Sequence, residues 1–111
     1  MSDKDRANLL AILDSVDKIK RYISESKDAV SLYEDELRYD AVLMNFINIG
    51  EAVSRLPMII TEEIELPWNQ IRGFRNLIAH IYFGVDAEEL WQTINENLPP
   101  LKQEIKNFLE K

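Results

Sequence analysis

The residues with chemistry to offer lie in one run, 72-RGFRNLIAHIYFG-84, which holds the chain's single histidine, His80, together with Arg72, Arg75, Asn76 and Tyr82. An imidazole can move a proton near neutral pH, and a guanidinium can hold and neutralise a phosphate. The pair therefore suits a phosphodiester, and that chemistry requires no metal ion. Residue types exclude several alternatives. One histidine and no cysteine rule out multi-histidine and thiolate metal sites, and disulfides as well. The three glycines stand apart at 50, 73 and 84, so no Gly-rich phosphate loop exists. A Ser-His-Asp triad would need a serine delivered by the fold, and no nucleophile-elbow sequence is present.

Spacing decides how these groups could meet. At about 100° per residue, Asn76 and His80 share one helical face, while Arg75 and Tyr82 share another, about 140° from His80. One straight helix would not aim all four at a point. Two arrangements reconcile them: the long arginine side chain reaches around the helix, or two copies of the helix meet across a two-fold axis and share groups. From spacing alone, a lone histidine on a helix is more often structural or exposed, and Arg72 reads as solvated or partner-facing. Glu51, in 48-NIGEA-52, lies close to an apolar stripe where an unpaired carboxylate would be costly. It is expected to pair with Arg75 or Arg72, or to face the same site.

The elements that must position these groups read as helices. Ser2 with Asp5 resembles a capping box. Leu9, Ile12, Leu13, Val16, Ile19 and Ile23 follow at three- and four-residue steps, predicting an amphipathic helix over about 3–24. After the polar ESKD link, Val30, Leu32 and Tyr33 fit a short helical turn. A second long helix is predicted over 35–56, with Leu37, Ala41, Met44, Ile47 and Val53 as its stripe. Val42, Phe46 and Ile49 widen that stripe, and Pro57 ends the helix. Residues 58–66 are ambiguous between a short helix and an extended link. Pro67 fits the first position of a further helix, carried by Trp68, Ile71, Phe74, Leu77, Ile78 and Ile81 as far as Gly84. Asp86 with Glu89 reads as another capping box, with Leu90, Trp91 and Ile94 carrying its helix to about Asn97. Pro99 and Pro100 break that helix, and Leu101, Ile105, Phe108 and Leu109 form a last amphipathic segment. Trp68, Phe74, Trp91 and Tyr39 read as core, and the runs Glu34-Asp35-Glu36 and Glu62-Glu63 as solvated faces. With no useful strand-period alternation, the fold class is all-α: four to five helices in a bundle, as one domain over 1–111.

Composition sets further limits. Apolar residues make up 46% and charged residues 30% of the 111, which suits a folded, soluble chain. The absence of cysteine, of a secretory signal and of a bilayer-spanning run predicts a cytoplasmic protein with no membrane association. The net charge of −7 argues against broad nucleic-acid binding, since phosphate affinity comes largely from Lys and Arg. Its distribution qualifies that. Residues 67–85 hold two arginines and no carboxylate, an acid-free island in an acidic chain. A small site for one phosphate remains open.

These residues resemble a known family. Arg75-x4-His80-x-Tyr82 is similar to the R-x4-H-x-Y motif of the HepT-like toxins, a branch of the HEPN superfamily. The run 40-DAVLMNFINIGEA-52 resembles the family's helix ending in IGEA, and 67-PWNQIRGFRNLIAHIYFGVD-86 resembles its PW-x2-I-x-G-x-RN-x2-AH-x-YF-x-VD signature almost position by position. Phe74 stands where many relatives carry Met. Trp91 and 98-LPPLKQEI-105 fit the usual tail, so the similarity covers nearly the whole chain in order.

The resemblance implies an all-α HEPN-type bundle that forms a homodimer, with two motif helices building a composite cleft. It implies a metal-independent endoribonuclease without a cofactor, acting on RNA as the toxin of a prokaryotic type VII HepT/MntA toxin–antitoxin system. Arg75 and His80 would be the catalytic pair, with Asn76 supporting, and the RNA 2′-hydroxyl would attack the adjacent phosphate to leave a cyclic phosphate. Tyr82 would correspond to the tyrosine that a cognate MntA-like nucleotidyltransferase antitoxin modifies with AMP. Bulky phosphates beside the site would repel RNA and fill the arginine's pocket. Two further readings compete: a non-catalytic helical module that docks a nucleotidyltransferase and serves as its substrate, and a purely structural dimerisation domain.

Overall fold

The computed structural model describes residues 1–74, 76 and 87–111. Among these, all regular structure is helical, in seven segments: α1 (Asp3–Tyr22), α2 (Ala29–Glu34), α3 (Glu36–Ser54), α4 (Met58–Glu63), α5 (Trp68–Arg72), α6 (Ala87–Glu96) and α7 (Leu98–Leu109). Three of the seven span six residues or fewer. The number therefore exceeds the four to five expected, because sequence periodicity registers long helices better than single turns.

The helix starts are set by local chemistry. The Ser2 hydroxyl accepts from the Asp5 N–H at 3.0 Å, and an Asp5 carboxylate oxygen accepts from the Ser2 N–H at 3.2 Å, the reciprocal box expected for α1. Asp28 and Ser31 form a second box at the start of α2, which explains why so short a helix is defined. Asp35 begins α3: its carboxylate accepts from the Arg38 backbone N–H at 3.2 Å and from Arg38 Nη1 at 2.9 Å. These contacts lower the Asp35 pKa, first through the backbone hydrogen bond and then through the Arg38 side chain. So one member of the acidic run Glu34-Asp35-Glu36 is a structural cap rather than merely a solvated charge.

The core forms where α1 lies along α3, with α5 on α3 and α7 on α1. Leu9, Ile12, Val16 and Ile19 of α1 are buried, and they meet Val42, Leu43, Phe46, Ile49 and Val53 of α3 in one contiguous cluster. The stripe expected on α3 is thereby corrected. Leu37 is 85% and Met44 56% exposed, whereas the residues read as widening the stripe are fully enclosed. α3 is apolar on most of its circumference, so its own periodicity offers two faces, and the packing of α1 and α5 selects one. Asn45 is also buried, its Nδ2 donating to the Ala41 carbonyl at 2.8 Å, which removes the cost of enclosing its amide.

Two proline readings shift. Pro67 is the N-cap of α5 rather than its first helical residue. The break expected near Asn97 is present, since α6 ends at Glu96, but α7 begins at Leu98 rather than after the prolines, and both prolines occupy its first turn, where their missing N–H groups have no intrahelical partner to lose. The ambiguous 58–66 stretch is both things in turn, helical as α4 and then extended at Ile64, with φ −107° and ψ 114°.

Candidate active site

The approach to the predicted catalytic residues is built from α5, which has little stability of its own. Five residues cannot sustain a helix in water, and Pro67 supplies no side-chain cap. Burial holds the segment instead. Trp68, Ile71 and Phe74, three residues apart, are 8%, 1% and 2% exposed. The Phe74 ring meets Phe46 of α3 edge-on, with centroids 5.1 Å apart. At the other end, the Trp68 indole Nε1–H donates to the carbonyls of both Thr61 and Ile64, each at 2.9 Å. Those carbonyls belong to the last turn and C-cap of α4, where acceptors lack helical donors. The indole thus ties α4 to α5. At Gly73 the chain turns tightly: a Cβ there would lie 3.1 Å from the Gln70 carbonyl oxygen.

The predicted site residues fall unevenly on the described chain. Arg75, His80 and Tyr82 lie outside the described residues, as does Asp86 of the predicted capping box. Asn76 is described and exposed, two residues beyond the buried Phe74. Arg72 is exposed, and its Nη1 donates to the Asn69 side-chain oxygen at 3.3 Å. Glu51 sits in the last turns of α3, half-buried, with a carboxylate oxygen 3.9 Å from Arg55 Nη2 one turn on. Of the described cations Glu51 therefore pairs with Arg55, not with Arg72 as expected. The physical reason is proximity, since residues four apart on a helix are neighbours. The expected pairing with Arg75 lies outside the described residues. Trp68, Phe74 and Tyr39 are core as read, and Trp91 is half-buried against it.

Sequence reasoning missed the indole tether. A tryptophan directly after a proline signals a helix start, but its acceptors are backbone carbonyls that no side-chain pattern records.

A groove of about 400 Å³ lies between α1 and the α6–α7 pair, floored by Ile19, Ile94 and Leu98 with Lys20 and Lys102 at its edge. Its described walls come from helices other than α3 and α5, so the phosphodiester chemistry is not assigned to it. Among the described residues no group of three or more His, Cys, Asp or Glu side chains is placed to hold a metal ion. No described helix is long and apolar enough to cross a membrane.

Comparison with known proteins adds the following. A family model described as "Ribonuclease HepT-like" matches residues 12–108. "Putative RNase MJ1380" of Methanocaldococcus jannaschii is 31% identical over 108 residues, covering 96% of this chain and 98% of that protein. "Probable ribonuclease HepT" of Thermococcus cleftensis is 31% identical over 97 residues, covering 75% of this chain and 88% of the relative. "Gamma-glutamylcyclotransferase and putative RNase MJ0434" of Methanocaldococcus jannaschii is 32% identical over 100 residues, which is 89% of this chain but 45% of that protein, so the chain spans less than half of its length. No solved structure gives a significant match.

Proposed function

The chain belongs to the HepT-like ribonuclease family, and from that premise we propose that it is a metal-independent endoribonuclease, the toxin of a type VII HepT/MntA pair acting in the cytoplasm. The observation that carries this reading is the conjunction, inside the matched span, of Arg75, His80 and Tyr82 in the longest acid-free stretch of an acidic chain. The run that precedes the motif supports the reading: Trp68, Ile71 and Phe74 are buried, and Phe74 packs against Phe46 of α3.

The chemistry follows from the residue types. His80 accepts the proton of the RNA 2′-hydroxyl, whose oxygen attacks the adjacent phosphorus. The bond from phosphorus to the 5′-oxygen breaks, and that oxygen takes a proton back from the imidazolium. The products are a 2′,3′-cyclic phosphate and a 5′-hydroxyl. Arg75 neutralises the charge that builds on the phosphate oxygens. Because the nucleophile is part of the substrate, no metal-bound water is needed. The 140° offset between Arg75 and His80 along a helix favours a cleft shared by two copies in a homodimer. Tyr82 is the residue that an MntA-like nucleotidyltransferase would modify with AMP, placing phosphates where RNA must sit.

The test is direct. Wild type and His80→Ala are expressed without a partner, purified, and given RNA in EDTA. Wild type should arrest growth and leave cyclic-phosphate ends, and the variant should do neither. Equal growth and equal RNA patterns would sink the proposal. The net charge of −7 favours one alternative, a docking module whose main role is to be the nucleotidyltransferase's substrate. Protein that leaves RNA intact yet gains AMP on co-expression, and loses that gain in Tyr82→Phe, would establish it instead.

A further inference from the structure

Arg75 follows directly in sequence on Phe74, a residue fixed in the core. The stretch from Trp68 to Phe74 is held at both ends by contacts unrelated to helix propensity. At the front, one indole N–H serves two carbonyls, Thr61 and Ile64, at 2.9 Å each. At the back, Phe74 packs edge-on against Phe46. Between them α5 is five residues long and lacks a side-chain cap, so it would not keep its own position. The indole N–H is also more than a packing accessory. The Trp68 ring is already buried, and a phenyl ring in its place would fill most of the same space without joining α4 to α5.

We propose that Trp68 is a positioning residue for the catalytic motif that follows it, its indole N–H pinning the start of the Trp68–Phe74 run to the C-terminal carbonyls of α4 while Phe74 fixes the end of that run, directly before Arg75, against α3. The inference rests on the ribonuclease reading and deepens it. Catalysis by an oriented arginine and imidazole is sensitive to placement, and a shift of about 1 Å can cost on the order of a hundredfold in rate. Releasing one of two anchors therefore lowers turnover without removing any group that touches RNA.

Trp68→Phe removes the N–H and keeps an aromatic ring. Thr61→Ala is its control, because the acceptor at Thr61 is the backbone carbonyl and survives the change. The expected result is a drop in kcat of about ten- to a hundredfold for Trp68→Phe, with KM and far-UV helicity unchanged and Thr61→Ala equal to wild type. Wild-type kcat in Trp68→Phe would overturn the proposal, as would a loss of activity that merely tracks a smaller folded fraction. The chain's single histidine gives a second readout that does not depend on cleavage. The imidazole NMR signal of His80 should move in Trp68→Phe and stay in place in Thr61→Ala, and an unmoved signal in Trp68→Phe refutes the tether as a positioning device. If His80→Ala cleaves RNA as wild type does, the ribonuclease reading falls while this spectroscopic result still decides the positioning claim.

Discussion

Arginine and lysine carry the same charge but are not equivalent at a phosphate. Only the guanidinium offers planar paired donors that match two phosphate oxygens at once. If Arg75 stabilises the charge that grows during cleavage, Arg75→Lys should lower kcat/KM about ten- to a hundredfold, read in single-turnover assays on a short RNA. A bulk electrostatic role would leave the variant near wild type. Asp35 makes a different prediction at the same scale. Its pKa is lowered from the ordinary 3.8, chiefly by the Arg38 backbone N–H and then by the Arg38 side chain. A depressed carboxylate contributes stability that is fully present above its unfolded value and is lost as pH falls through the folded one. Asp35→Asn should therefore melt below wild type at pH 7, and the gap in Tm should close as the pH is taken below 3.8. A gap that persists unchanged in acid would show that the charge of Asp35 is not what it contributes. At this scale the sequence restricts chemistry by residue type alone, as with a sole histidine five residues after an arginine. It was silent on Trp68, whose partners are main-chain oxygens, and on the local contact between Glu51 and Arg55, one helical turn apart, while the expected pairing of Glu51 with Arg75 lies outside the described residues.

Among the helices, α3 shows what periodicity can and cannot decide. Phe46 is completely buried, in ring contact with Phe74 and within the same core cluster as the apolar residues of α1. Leu37, on the same helix and equally apolar, is 85% exposed. Phe46→Ala should cost about 3–5 kcal/mol in urea unfolding, through lost burial and the cavity left behind. Leu37→Ser should change stability by no more than about 0.5 kcal/mol. Comparable losses at the two positions would mean that the buried face of α3 is not the one described. The long helices α1 and α3 were legible because their caps, apolar steps and terminating residues agree. Choosing between the two apolar faces of α3 requires knowing that α1 and α5 pack on it, and that information lies outside any window of α3 itself. The start of α7 was placed too late, after the prolines at 99 and 100, for a related reason. A proline ends a helix when it follows one and suits a helix when it opens one, and only the position of Leu98 as the first residue of α7 distinguishes these cases.

Taken whole, a molecule of net charge −7 is expected to have weak general affinity for RNA, and that expectation sets how its affinity should respond to salt. Each phosphate neutralised on a single strand releases condensed counterions, giving a slope of about −0.7 in log affinity against log salt. A broad basic surface with eight contacts would give a slope of about −6. Here the net charge is −7, and the acid-free stretch 67–85 contains only Arg72 and Arg75. Arg72 is exposed, and among the described residues its guanidinium donates to the neutral Asn69 side chain one turn back, which leaves its charge available to a phosphate. If a dimeric cleft draws on both arginines of both copies, at most four phosphates are engaged and the slope should fall between about −1.4 and −2.8. Binding of a fluorescent RNA to His80→Ala, followed from low to moderate salt, measures the slope without cleavage. A value steeper than about −4 would require cations from elsewhere on the surface and would move the binding site away from the motif. A shallow slope that becomes shallower still in Arg72→Gln would assign substrate choice to a few contacts in one cleft, the behaviour an acidic ribonuclease needs if it is to spare most of the RNA it meets.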